Sequence, residues 1–116
     1  MTSLQGRRFR VASTSEGSVV SASTVLALEE DGPFVCGHYS GGTVVKGYLI
    51  GIRRGAELHF RYVQGDLSGS IDAGASRAIV EETAEGRLRI IEHYEWVTRE
   101  GRGTNIFEEI AGNADA

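Results

Sequence analysis

The sequence predicts an all-β protein folded as one eight-stranded antiparallel up-and-down barrel, and three observations carry that prediction. Glycine occurs 16 times against a single proline, and the glycines fall between short runs of β-branched and aromatic residues, the pattern of strands joined by tight turns. No segment holds a helical period over three turns. Eight successive strands leave two open edges, and pairing the first strand with the last removes both, which a flat open sheet cannot do. With 116 residues, 41% of them hydrophobic, the chain has material for one modest core, so residues 1–116 read as a single domain.

In the first strand, from about Arg7 to Ser13, Phe9 and Val11 alternate with Arg8 and Arg10, and Thr14-Ser15-Glu16-Gly17 turns it around. A second strand from about Ser18 to Glu29 puts Thr24, Leu26 and Leu28 on one face and ends at Asp31-Gly32, a two-residue hairpin signal. Pro33 opens the third strand, where a missing N–H is tolerated, and Val35, Gly37 and Tyr39 share its inner face. Gly41-Gly42 is the next turn and aligns Val44, Lys46, Tyr48 and Ile50 with the Tyr39 face. Read as a three-residue loop, Arg53-Arg54-Gly55 sets Lys46 opposite Tyr62; a two-residue turn there would reverse Lys46, because a one-residue slip exchanges the faces of a strand.

Three more hairpins complete the meander. Leu67-Ser68-Gly69 brings Tyr62 opposite Gly74 and Gln64 opposite Asp72. Ala84-Glu85-Gly86 sets Gly74 opposite Trp96, Ser76 opposite Tyr94 and Ala78 opposite Glu92. Arg99-Glu100-Gly101, taken as a three-residue loop, puts Glu92 opposite Glu108. Small residues meet large ones across these pairs, as the inside of a narrow barrel requires.

The chemistry concentrates on that predicted interior. Glu92 and Glu108 face each other among apolar and aromatic neighbours, so the pair is expected to share a proton, with Lys46 as counter-charge. Tyr39, Tyr48, Tyr62, Gln64, Tyr94 and Trp96 supply contact surface and hydrogen-bonding groups. Together they predict a pocket for a small, partly apolar molecule. The alternative is a cofactor-free acid–base enzyme, an isomerase, lyase or cyclase, using Glu92, Glu108 and Lys46. A third reading is a closed structural barrel in which the charged cluster is idle.

Other classes find no support. A formal charge of −4 and scattered arginines without a stacking motif argue against nucleic acid. His38, His59 and His93 fall on the outer face, the lone Cys36 has no companions, and no metal site or cofactor is expected. The glycine-rich segments open no helix, so they are turns and not phosphate cradles. No apolar run suggests a signal peptide or a membrane span, which points to a cytoplasmic protein. Ile91, Val97, Phe107, Val63 and Ile79 form an apolar row on the predicted outside, suggesting a homodimer.

The chain also resembles a family of small bacterial proteins of about this length that carry the name N-acetylglutamate synthase. The resemblance lies in Gly6-Arg7-Arg8-Phe9-Arg10, Tyr39-Ser40-Gly41-Gly42, Lys46-Gly47-Tyr48-Leu49-Ile50-Gly51, Arg61-Tyr62, Glu92 with Trp96, and Gly103-Thr104 leading to Glu108-Glu109-Ile110. It covers most of the chain and implies the residues selected above more than a reaction, since an acetyl-CoA site of the usual kind needs a strand-to-helix pyrophosphate cradle. More broadly, a meander of this size resembles the calycin-type barrels, lipocalin-like and avidin-like, whose members include ligand carriers and a few isomerases, lyases and cyclases.

Overall fold

Every second side chain along the strands is buried. On the fifth strand Leu58, Phe60, Tyr62 and Gln64 point inward while His59, Arg61 and Val63 are exposed, so each strand has one face to hide. The computed structural model describes residues 2–110 and shows how they are hidden. Its eight strands are β1 (Arg8–Thr14), β2 (Val25–Asp31), β3 (Phe34–Gly41), β4 (Val44–Arg54), β5 (Glu57–Asp66), β6 (Ile71–Glu82), β7 (Leu88–Trp96) and β8 (Arg102–Glu109). Each pairs antiparallel with the next and β1 pairs with β8, closing the barrel as expected. No helix of the described residues is long and apolar enough to cross a membrane.

Two hairpins have the predicted register. Tyr62 pairs with Gly74 and Gln64 with Asp72; Gly74 pairs with Trp96, Ser76 with Tyr94 and Ala78 with Glu92. Between β2 and β3 the predicted faces are correct but the pairing is two residues along, Tyr39 meeting Leu26, because the turn is Gly32-Pro33 and Asp31 pairs with Phe34. Residues 15–24 are a loop and not the start of β2. Ser21 and Thr24 close a turn of their own there, the Thr24 N–H donating to Ser21 O at 2.9 Å and the Ser21 N–H to Thr24 Oγ1 at 3.1 Å.

Two strands are reversed relative to expectation. β4 reaches β5 through a two-residue turn, with Arg54 paired to Glu57, and irregularities beside Gly41 and Val44 set Tyr39 opposite Gly47. Gly47, Leu49 and Arg53 therefore face in, while Lys46, Tyr48 and Ile50 face out. β8 is reversed because Val97 and Thr98 remain bonded to β6. Their N–H groups both donate to Ala73 O, and the Thr98 hydroxyl accepts from the Ala73 N–H and donates to Asp72. The loop is thereby lengthened, Glu95 pairs with Arg102, and Glu92 faces Asn105 instead of Glu108. Asn105, Phe107 and Glu109 line the interior. Glu108 lies outside beside Arg89 at 3.7 Å, and Phe107 leaves the outer apolar row.

One end of the barrel is sealed by the segment before β1. Leu4 is fully buried, and two ion pairs pin the seal: Arg7 Nη1 lies 2.7 Å from Glu109 Oε2 and Arg53 Nη1 3.0 Å from Glu30 Oε1. Arg53 also donates to the carbonyls of Thr2 and Gly55, and Glu30 accepts the Leu4 N–H. The opposite end carries the loop 15–24, the β3–β4 and β5–β6 turns and the β7–β8 loop.

Three tyrosines lie over glycines of the adjoining strand. A Cβ on Gly47 would stand 2.3 Å from the Tyr39 ring, one on Gly74 2.3 Å from the Tyr62 hydroxyl, and one on Gly103 2.7 Å from the Tyr94 hydroxyl. Each glycine is the direct cross-strand partner of its tyrosine. Gly47→Ala or Gly74→Ala is therefore expected to destabilise the fold by about 1–3 kcal/mol through overpacking. Gly65→Ala, whose Cβ would find its nearest neighbour at 4.0 Å, should be close to neutral; urea denaturation of the three variants checks the contrast.

Candidate functional site

The inward residues of the open half of the barrel enclose a cavity of about 40 Å³, enough for about three water molecules. Six aromatic residues stand in its wall: Tyr39 from β3, Phe60 and Tyr62 from β5, Tyr94 and Trp96 from β7 and Phe107 from β8. The rings are in mutual contact, Tyr62 edge-on to Trp96 with centroids 5.2 Å apart, Tyr94 6.3 Å from Trp96 and Phe60 6.2 Å from Tyr62. Leu26 and Leu49 complete the apolar wall. Val19 and Val20 of the loop 15–24 pack against the core from the mouth.

Polar groups enter this apolar space at two points. Glu92 Oε2 accepts from Ser76 Oγ at 2.6 Å and Oε1 from Asn105 Nδ2 at 3.0 Å, while Asn105 Oδ1 accepts from Ser18 Oγ at 2.8 Å. A chain of hydrogen bonds thus runs from the mouth loop to the buried acid. Across the cavity the Tyr39 hydroxyl donates to Gln64 Oε1 at 2.8 Å. The Tyr62 hydroxyl is buried and has no hydrogen-bond partner among the described residues. Above the mouth, the Arg99 guanidinium stands 5.3 Å from the centre of the Trp96 ring, within cation–π range.

The electrostatics follow from burial. Loss of solvent raises the Glu92 carboxyl above the usual carboxylate range, against the opposing pull of the Ser76 and Asn105 hydrogen bonds and the nearby His93. Burial first, and the Glu92 charge second, push the hydroxyls of Tyr39 and Tyr62 far above the ordinary phenol range, so both remain protonated.

Of the residues singled out from the sequence, Glu92, Tyr39, Tyr62, Gln64, Tyr94 and Trp96 converge on this cavity. Lys46, Tyr48 and Glu108 do not. Both reversed strands carry them outward, so among the described residues no second carboxylate and no lysine stands beside Glu92. Asn105, Phe107 and Ser18 were missed. A usable signal for the first two was Gly103, since matching it to Tyr94 in the way Gly74 matches Tyr62 gives the observed register. His38, His59 and His93 are exposed, and among the described residues no three His, Cys, Asp or Glu side chains come together as a metal site.

Comparison with known proteins agrees with this architecture. No curated protein and no solved structure matches the chain. A family model described as avidin-like protein matches residues 2–110. That match spans nearly all of the 116 residues, including every strand of the closed eight-stranded barrel, and the chain therefore belongs to the avidin-like family.

Proposed function

We propose that the barrel binds a small, partly apolar molecule in the cavity around Glu92. The observation that carries this reading is the combination of a largely apolar, aromatic-rich wall with polar groups beyond what packing requires: a hydrogen-bonded carboxylate and a tyrosine hydroxyl with no partner among the described residues. A barrel with a purely structural interior gains nothing from either, since burying a carboxylate or leaving a hydroxyl unpaired costs stability. Tyr62, Tyr94 and Trp96 would give the ligand its contact area, and Glu92, Asn105, Gln64 and the Tyr62 hydroxyl its orientation. The volume at the centre admits only a small head group, so a larger ligand displaces Val19 and Val20 at the mouth. Membership of the avidin-like family supports small-molecule binding in general terms. The acid–base alternative rested on Glu92 and Glu108 sharing a proton, and those residues lie on opposite sides of the barrel wall. A cytoplasmic location fits the single cysteine.

The homodimer is also kept as a proposal, here on another outer surface; of the row expected from the sequence Phe107 is buried, while Val63, Ile79 and Val97 are exposed. Phe34 pairs with Ile52 and Tyr48 with Val63 on the outer face of β3, β4 and β5, and Ile50 lies between. These five exposed apolar side chains form one continuous patch that suits a second copy. Sedimentation at high concentration is expected to give a dimer that Ile50→Lys converts to monomer; a wild-type monomer would reject the interface.

Two further outcomes test the site itself. Native mass spectrometry followed by denaturing extraction should release a small molecule from the wild type, with much less from Tyr62→Phe; an empty protein that also fails a metabolite screen would remove the binding reading. The stability profile should carry the signature of Glu92. Its folded-state carboxyl titrates above its unfolded value, so the folded protein holds a proton that the unfolded chain has released. Stability associated with this group is then full below the unfolded value, near 4.3, and is lost as pH rises through the folded one. Glu92→Gln should flatten that decline and stabilise the empty protein at alkaline pH, as read by thermal melts across pH 4–9.

A further inference from the structure

Three carboxylates, Glu92 and Glu109 buried and Glu30 half-buried, can be compared within this one chain. Glu109 has Arg7 at 2.7 Å and Glu30 has Arg53 at 3.0 Å. Glu92, the most interior of them, has only the neutral donors Ser76 and Asn105. Those donors occupy both of its oxygens in the manner suited to an ionised carboxylate, but no basic side chain among the described residues lines the cavity. A buried negative charge without a positive partner is strongly unfavourable. The cavity therefore contains everything a buried ion pair needs except its cation.

The wall is suited to supply the rest. Six aromatic residues surround the space, and ring faces attract ammonium groups most strongly when water is excluded. The unpartnered Tyr62 oxygen, on a residue only 7% exposed, can accept a hydrogen bond from an N–H. Resting on the binding function proposed above, we propose that the molecule this barrel takes up is an organic cation, a protonated amine whose ammonium group sits between the Glu92 carboxylate and the rings of Tyr39, Tyr62 and Trp96. A cavity of about 40 Å³ receives an ammonium with one or two attached carbons, and the rest of the molecule extends past Val19 and Val20 toward the mouth. Anionic head groups are excluded by the same charge that attracts the amine.

The groups facing Glu92 fix how pH acts. They are Tyr39 from β3, Tyr62 and Gln64 from β5, Ser76 from β6, Tyr94 from β7, Asn105 from β8 and Ser18 from the mouth loop, with His93 next to it on the outer face. β2 and β4 contribute Leu26 and Leu49. Glu92 is the carboxyl among these groups, and burial raises it above the usual carboxylate range, so amine binding should strengthen as pH rises and Glu92 ionises, with a proton leaving to solvent when the cation binds the protonated form.

The test compares methylammonium and phenethylammonium with 2-phenylethanol and 3-phenylpropanoate by isothermal titration calorimetry. Quenching of Trp96, the single tryptophan, gives a second readout. At pH 8 phenethylammonium is expected to bind at least about tenfold more tightly than the alcohol, the equivalent of one charge-assisted contact, and the carboxylate not measurably. Stepping the pH down from 8 through a range in which the amine stays charged should progressively weaken the amine and leave the alcohol unchanged. Glu92→Gln should bring the amine to the level of the alcohol, and Tyr62→Phe, which keeps the ring, should cost it several-fold. Equal binding of alcohol and amine to the wild type overturns the cation while leaving a small-molecule site intact. Binding of none of the probes, or extraction of a molecule without a basic nitrogen, overturns it too; the site itself is then judged by the extraction experiment alone.

Discussion

An eight-stranded barrel has barely enough interior for its own side chains, and this one keeps a cavity because three of its tyrosines occupy space that glycines leave free. Tyr39, Tyr62 and Tyr94 each reach over the residue directly across the neighbouring hairpin, where a methyl group would collide with the ring or its hydroxyl. Displaced toward the wall, the rings line the interior instead of filling it. The hydroxyl of Tyr39 meets Gln64 and that of Tyr62 comes to rest without a partner. The polar character of the cavity is thus a consequence of how the aromatic residues are seated.

The two halves of the barrel handle charge differently. At the sealed end the buried Glu109 and the half-buried Glu30 are each answered by an arginine, and the pairs tie the N-terminal segment, the β2 end and the β8 end into one closed layer. Such pairs add little net stability but are costly to break from one side, which suits a plug that stays shut. At the open end the acid has neutral partners, and a hydrogen-bond chain leads from it to Ser18 in the mouth loop. A change at Glu92 is therefore felt at the mouth through Asn105, and displacement of the loop removes a partner from Asn105.

Much of this was legible in the sequence because period-two alternation marks strands and glycine marks turns. The eight strands, their order, the closure of β1 on β8, and the pairings of Tyr62 with Gly74 and Ala78 with Glu92 all follow from those two signals. Loop length was the weak link. A three-residue reading of Arg53-Arg54-Gly55 and of Arg99-Glu100-Gly101 misjudged both hairpins by an odd number of residues, which exchanges faces. In the second case the cause was tertiary: Thr98 bonds to Asp72 and Ala73 across β6 and β7, a contact that no local turn preference contains. Ile106 and Ile110 made the wrong face of β8 look apolar, whereas Phe107 and the polar Asn105 face in. The ion pairs of the sealed end, between residues as far apart as Arg7 and Glu109, lay beyond any reading of local pattern.

The seating of tyrosine on glycine also constrains how such a barrel can diverge. At Gly47, Gly74 and Gly103 a lineage that gains any side chain must first, or at the same moment, give up the large ring opposite, and at Gly74 and Gly103 also make room beside the Glu95 carbonyl and the Ser15 hydroxyl; one that loses the ring first leaves a bare stretch of backbone facing the cavity. Each intermediate is less fit to fold than either endpoint, so drift at these sites should proceed by correlated exchange. The cavity-facing wall would then change in steps of a whole ring, and descendants of this barrel should differ in discrete aromatic positions more than in gradual adjustments of cavity size.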